Sequence, residues 1–145
     1  MGNARFRAFT GSCRGDGLVV VIGACLQDWI TVRGQNDTIS VTQGSSGWLE
    51  LGDMEDLAFF LDVRELSSPA PQLVYETAPT KQDAMFKAML PAFTPAVGQR
   101  VDRVFTSTAA VPPARYVRWK LQHGGVPWDI TFRLWLGAYA WRRSG

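Results

Sequence analysis

Ala114-Arg115-Tyr116-Val117-Arg118-Trp119-Lys120-Leu121 and Asp129-Ile130-Thr131-Phe132-Arg133-Leu134-Trp135-Leu136 are the two stretches whose reading decides the fold. Apolar residues recur at every second position: Val117, Trp119 and Leu121 in the first, Ile130, Phe132, Leu134 and Leu136 in the second. A period of two is that of a strand with one buried face. The segment between them, His123-Gly124-Gly125-Val126-Pro127-Trp128, is a Gly/Pro break. The pattern predicts an antiparallel hairpin in an all-β sandwich. Tyr116, Arg118 and Lys120 then share the outer face of the first strand, and Thr131, Arg133, Trp135 and Tyr139 that of the second. Tyr, Trp and Arg are the residue types that anchor interfaces.

Outward from this pair, further short strands are expected at 18–22, 29–32, 38–42, 48–51, 57–63, 72–77 and 101–106. Gly, Pro, Ser and Asn clusters separate them. Leu57, Phe59, Leu61 and Val63 fall on one face of their strand. Residues 83–90 lie between Pro79 and Pro91 and are read as strand or loop, because a lone two-turn helix is marginal. About eight strands of this kind predict an antiparallel β-sandwich of jelly-roll type. Residues 1–17, rich in Gly, Arg and Ser, are expected to form an N-terminal arm or long loop, which should gain its order by lying on a neighbour. Residues 18–145 are expected to form one domain. The expected core contains Phe59, Leu61, Val117, Trp119, Phe132 and Leu134.

The chain has 145 residues and is 46% hydrophobic, which excludes a disordered chain. The net charge of +2 is too small to require nucleic acid. No apolar run has the length of a membrane span. No stretch of signal-peptide length follows Met1-Gly2-Asn3-Ala4-Arg5-Phe6-Arg7, so no signal peptide is expected. Charge is segregated: residues 100–145 hold eight Lys/Arg and two Asp/Glu, whereas residues 50–65 hold six Asp/Glu and one Arg. Acidic and basic faces suit packing between neighbouring subunits. Alternatively, the two segments neutralise each other within one chain.

Several short motifs carry a family resemblance. Gly47-Trp48-Leu49-Glu50-Leu51-Gly52 resembles the "WLEVDLG" strand of discoidin-type, galactose-binding-like β-sandwiches. Val74-Tyr75-Glu76-Thr77 resembles the central strand of that family, Ala114-Arg115-Tyr116-Val117-Arg118 its "ARYVR" strand, and Asp129 to Leu136 its closing "ALRVEL" strand. The resemblance spans roughly residues 45–140. It implies non-catalytic binding to glycans, lipid headgroups or protein surfaces, and carries over no ligand residue. That family often pairs cysteines near the two ends of the domain, whereas Cys13 and Cys25 both lie in the first 25 residues here.

Little in the sequence points to a reaction. His123 is the single histidine, and no nucleophile elbow accompanies it. It is read as a dispensable turn residue, and the chain as a non-enzyme with no catalytic residue. Glu50, Asp53, Glu55 and Asp56 lack the spacing of a calcium loop and read as a solvated acidic turn. Arg14-Gly15-Asp16 reads as a turn. Cys13 and Cys25 read more simply as free thiols than as a bridge, since pairing cannot be taken from spacing. No metal site and no cofactor are expected. The function expected is that of a structural or decorating subunit of a larger particle, a phage virion or another extracellular assembly. Its partners would be neighbouring copies or other subunits, bound through Tyr116, Arg118, Lys120, Arg133, Trp135 and Tyr139. A glycan-binding, lectin-like module is the alternative.

Overall fold

The computed structural model describes residues 7–12, 17–35, 40–52, 54–123 and 126–143. Among these residues ten strands follow one another: β1 (Arg7–Ser12), β2 (Gly17–Gly34), β3 (Ser40–Thr42), β4 (Leu49–Glu50), β5 (Asp56–Leu66), β6 (Gln72–Ala78), β7 (Lys87–Ala88), β8 (Gly98–Val104), β9 (Tyr116–Gln122) and β10 (Trp128–Arg143). Short 3-10 turns occupy Ser45–Gly47 and Asp83–Met85. Residues 83–90 are thus a turn and a two-residue strand, in keeping with a segment too short for a stable helix.

The strands form two antiparallel sheets. One runs β1-β2-β10-β5-β8. The other runs β3-β9-β6-β7, with β4 also paired to β9. If β1 and β4 are set aside and the other eight strands renumbered in sequence, the two orders become 1-8-3-6 and 2-7-4-5. That is the paired Greek-key topology of a jelly roll.

This topology corrects the expected hairpin. β9 pairs with β3, β4 and β6, whereas β10 pairs with β2 and β5. The His123–Trp128 connection therefore crosses from one sheet to the other. The sequence pattern is the same in both cases, because each strand needs one apolar face whether its neighbour lies beside it or opposite it. In the sandwich the two apolar faces meet. The indole of Trp119 and the ring of Phe132 pack edge-on at 5.2 Å across the core.

All six expected core residues are buried, with Phe59, Val117, Phe132 and Leu134 fully enclosed. Phe59 of one sheet stacks on Tyr75 of the other at 4.0 Å. Gln43, itself buried, ties the sheets together. Its Nε2 donates to the Leu26 carbonyl at 2.7 Å and the Gly47 carbonyl at 3.0 Å, and its Oε1 accepts from the Trp119 N–H.

Two further expectations change. Strands 18–22 and 29–32 are one continuous β2. It carries two more residues than β10 between Cys25 and Ile30, since Cys25 pairs with Trp135 and Ile30 with Phe132. That irregularity interrupts the alternation and makes one strand read as two. The N-terminal stretch, expected as an arm on a neighbour, holds β1 between Arg7 and Ser12, paired with Leu18–Gly23 of its own chain. A strand needs no core of its own when it adds backbone hydrogen bonds to an existing sheet.

Candidate functional site

Residues facing away from the core fall into two separate regions, because β9 and β10 belong to different sheets. Tyr116, Arg118 and Lys120 lie on the smaller sheet, and Arg133, Trp135 and Tyr139 on the larger. The six do not form one surface.

On the smaller sheet, the chain covers its own arginine. Arg118 is only 4% exposed. Its Nε donates to Glu76 at 2.9 Å, and its Nη1 reaches Asp83. The guanidinium lies 4.0 Å from the Phe86 ring and 5.2 Å from the Trp48 ring. Trp48 and Phe86 also meet each other edge-on. The loop around Asp83–Met85 thus closes over Arg118, and charge pairing plus ring stacking hold it there. Tyr116 and Lys120 are half-buried.

The larger sheet is more open. Strand register sets Trp135 beside Phe60, Phe60 beside Val101, and Cys25 on the other flank of Trp135. Trp135 is 46% exposed, Phe60 45% and Val101 50%, so three large apolar side chains in one cross-strand row face solvent. Beside the row, Arg133 reaches Asp62 at 3.2 Å and Arg100 reaches Asp102 at 2.9 Å. Both guanidinium charges are therefore matched within the chain. Phe60, Val101, Trp135, Gln99, Asp62 and the two arginines line an open pocket of about 340 Å³. Gly137 has no side chain to fill its place in the sheet. The half-buried Tyr139 ring lies against that place, its hydroxyl 3.1 Å from where a Cβ would stand, with Phe60 on the same spot.

Irregular pairing shapes the far side of this face. Trp29 lies in the irregular part of β2, and Arg64 at a register shift of β5. Arg64 stands 4.2 Å from the Trp29 ring and Arg133 stands 4.9 Å from it. Bulges re-aim side chains in this way. Cys25 is a half-buried free thiol. Burial above all, then the charge of Asp28, pushes it above the ordinary thiol range.

Phe60, Val101 and Trp29 were not among the expected site residues. The signal for Phe60 was present: if Leu57, Phe59 and Leu61 face inward, a phenylalanine between them faces out. Trp29 carried no such signal, because its strand is irregular.

Elsewhere, acidic and basic segments meet within the chain. Glu50 pairs with Arg115 at 3.0 Å, and Asp62 with Arg133. Asp56 accepts the Thr106 backbone N–H at 2.9 Å, and the Thr106 hydroxyl donates to the Glu55 carbonyl. Among the described residues, no group of three or more His, Cys, Asp or Glu converges to hold a metal ion. No described helix is long and apolar enough to cross a membrane. His123 is half-buried, its Nδ1 enclosed without a hydrogen-bond partner among the described residues. Cys13, Arg14-Gly15-Asp16 and Asp53 lie outside the described residues. Set against known proteins, the chain matches no protein-family model and no curated protein.

Proposed function

We propose that the protein is a non-enzymatic structural or decorating subunit of a larger particle, such as a phage virion or another extracellular assembly, and that it docks through the outer face of its larger sheet, β1-β2-β10-β5-β8. One observation carries this reading: Trp135, Phe60 and Val101 form an exposed apolar row while the arginines beside them are already paired. A neutral apolar centre with a rim of Arg, Asp and Gln has the anatomy of a protein interface. Contiguous exposed apolar side chains are a feature that interaction sites share, which supports the reading. Jelly rolls serve in capsids and in lectins alike, so the fold by itself supports either reading.

Light scattering of the purified chain, alone and with the particle it decorates, tests the proposal. The parent should join assemblies larger than a dimer. Trp135→Ala should weaken that association about thirtyfold or more, the loss expected of a tryptophan anchor, with its melting temperature unchanged. Equal assembly by parent and variant would refute the docking face.

The glycan-binding alternative draws on the same pocket. Trp135 and Phe60 offer ring faces for a sugar, and Asp62, Gln99 and Arg100 offer hydrogen bonds at its margin. A glycan array separates the two readings: selective, Trp135-dependent binding by a chain that does not assemble would favour the lectin-like module.

A further inference from the structure

We propose that the outer edge of β1 pairs with the same strand of a second copy of this chain, joining two five-stranded sheets into one of ten strands. The inference builds on the docking reading above by adding a second contact, separate from the docking face.

The argument starts from the edges of the sheets. An edge strand presents unpaired N–H and C=O groups, and proteins guard such edges with charge, brevity or irregularity. In the smaller sheet, β3 has three residues and β4 and β7 have two each, too few to template a partner. In the larger sheet, β8 has seven residues, but Arg100, Asp102 and Arg103 interrupt it. β1 is different. It is a six-residue edge, Arg7-Ala8-Phe9-Thr10-Gly11-Ser12, with one charge at its end, no proline, and an unbroken register against β2. Among the described residues, no strand pairs with its outer side.

The sequence of β1 is compatible with itself. A two-fold axis perpendicular to the sheet, set at Phe9, places Phe9 opposite Phe9, Ala8 opposite Thr10 and Arg7 opposite Gly11 of the other copy, so that opposed residues share a face. No like charges oppose each other in that register, which removes the usual penalty on a homotypic edge. The same axis keeps both outer faces on one side. Register continues the face toward this edge, since Tyr139, Val21 and Phe9 form one row and Trp141, Val19 and Gly11 another. A dimer made this way presents two docking faces to the same particle, and the second engagement becomes intramolecular. Symmetric pairing of one patch with itself is the commonest route to a dimer.

The test uses the full chain. Sedimentation equilibrium over a hundredfold concentration range should show monomer passing to dimer. Hydrogen exchange at the same concentrations should slow at the β1 amides as dimer forms. The N–H groups of Phe9 and Thr10 point to opposite sides of the strand. One of Phe9→Pro and Thr10→Pro should therefore give a folded monomer, while the other disturbs pairing with β2. Trp135→Ala should remain dimeric while losing particle association, so failure of the edge and failure of the docking face are read separately. A parent that stays monomeric throughout overturns the inference. So does a dimer whose β1 amides exchange as fast as in the monomer, or one that survives both proline substitutions.

Discussion

At the scale of single residues, two buried polar groups behave in opposite ways. Arg118 and Glu76 are both enclosed and satisfy each other. Removing one partner strands the other, which costs about 3–5 kcal/mol for a buried pair, whereas an apolar replacement of both is often neutral. Arg118→Ala should therefore lose about that amount in denaturant titration, and Arg118→Met combined with Glu76→Leu should recover most of it. Asp83→Asn should change little, because the Asp83 side chain is 75% exposed. The Tyr75 hydroxyl is enclosed and reaches no hydrogen-bond partner among the described residues. Burial, helped by the charge of Asp102 and opposed by Arg100, pushes its phenol above the ordinary range. The unfolded chain thus ionises first as pH rises past about 10, and stability falls from there upward. Tyr75→Phe should match or exceed the parent in stability, with a flatter alkaline limb in melts recorded from pH 8 to 11. Arg118 also marks a limit of sequence reading. Alternation correctly takes it off the core face, but the cover supplied by Phe86 and Asp83 comes from a loop more than thirty residues away, which no local pattern encodes.

At the scale of elements, alternation located most strands and could not choose their neighbours. The faces of β5, β9 and β10 were legible because each puts apolar side chains at every second position. The pairing of β9 was not, since two strands flanking a Gly/Pro break look alike in a hairpin and in a crossover between sheets. β2 was hidden by its own irregularity between Cys25 and Ile30. Gln43 is the link that fixes this region. Its amide spans the Leu26 carbonyl in β2, the Gly47 carbonyl and the Trp119 N–H in β9, all from a buried position. Gln43→Ala leaves several buried backbone groups unpaired and should cost about 2–4 kcal/mol in urea unfolding. Exchange should rise selectively at the amides of residues 26–30 and 45–48. A global loss without that local signature would mean Gln43 fills space rather than joins the sheets.

At the scale of the whole molecule, the sandwich divides its aromatic and arginine residues between two sides. The smaller sheet spends Arg118, Trp48 and Phe86 on its own cover. The larger sheet leaves Trp135, Phe60 and Val101 open. Of the six residues expected on one surface, Arg133, Trp135 and Tyr139 stand on the larger sheet and Tyr116, Arg118 and Lys120 on the smaller, because alternation gives a strand's faces and not its neighbours. The central claim is that this open face meets the partner. Phe60→Ser together with Trp135→Ser should leave the thermal melt within a few degrees of the parent, because both side chains contribute little to the core. The most direct measurement is hydroxyl-radical footprinting of the protein free and assembled on its particle. The account predicts that Trp135, Phe60 and Val101 lose reactivity on assembly, while Met85, exposed in the turn that covers the other sheet, keeps its own. Unchanged reactivity at Trp135 and Phe60 in the assembled protein would contradict it.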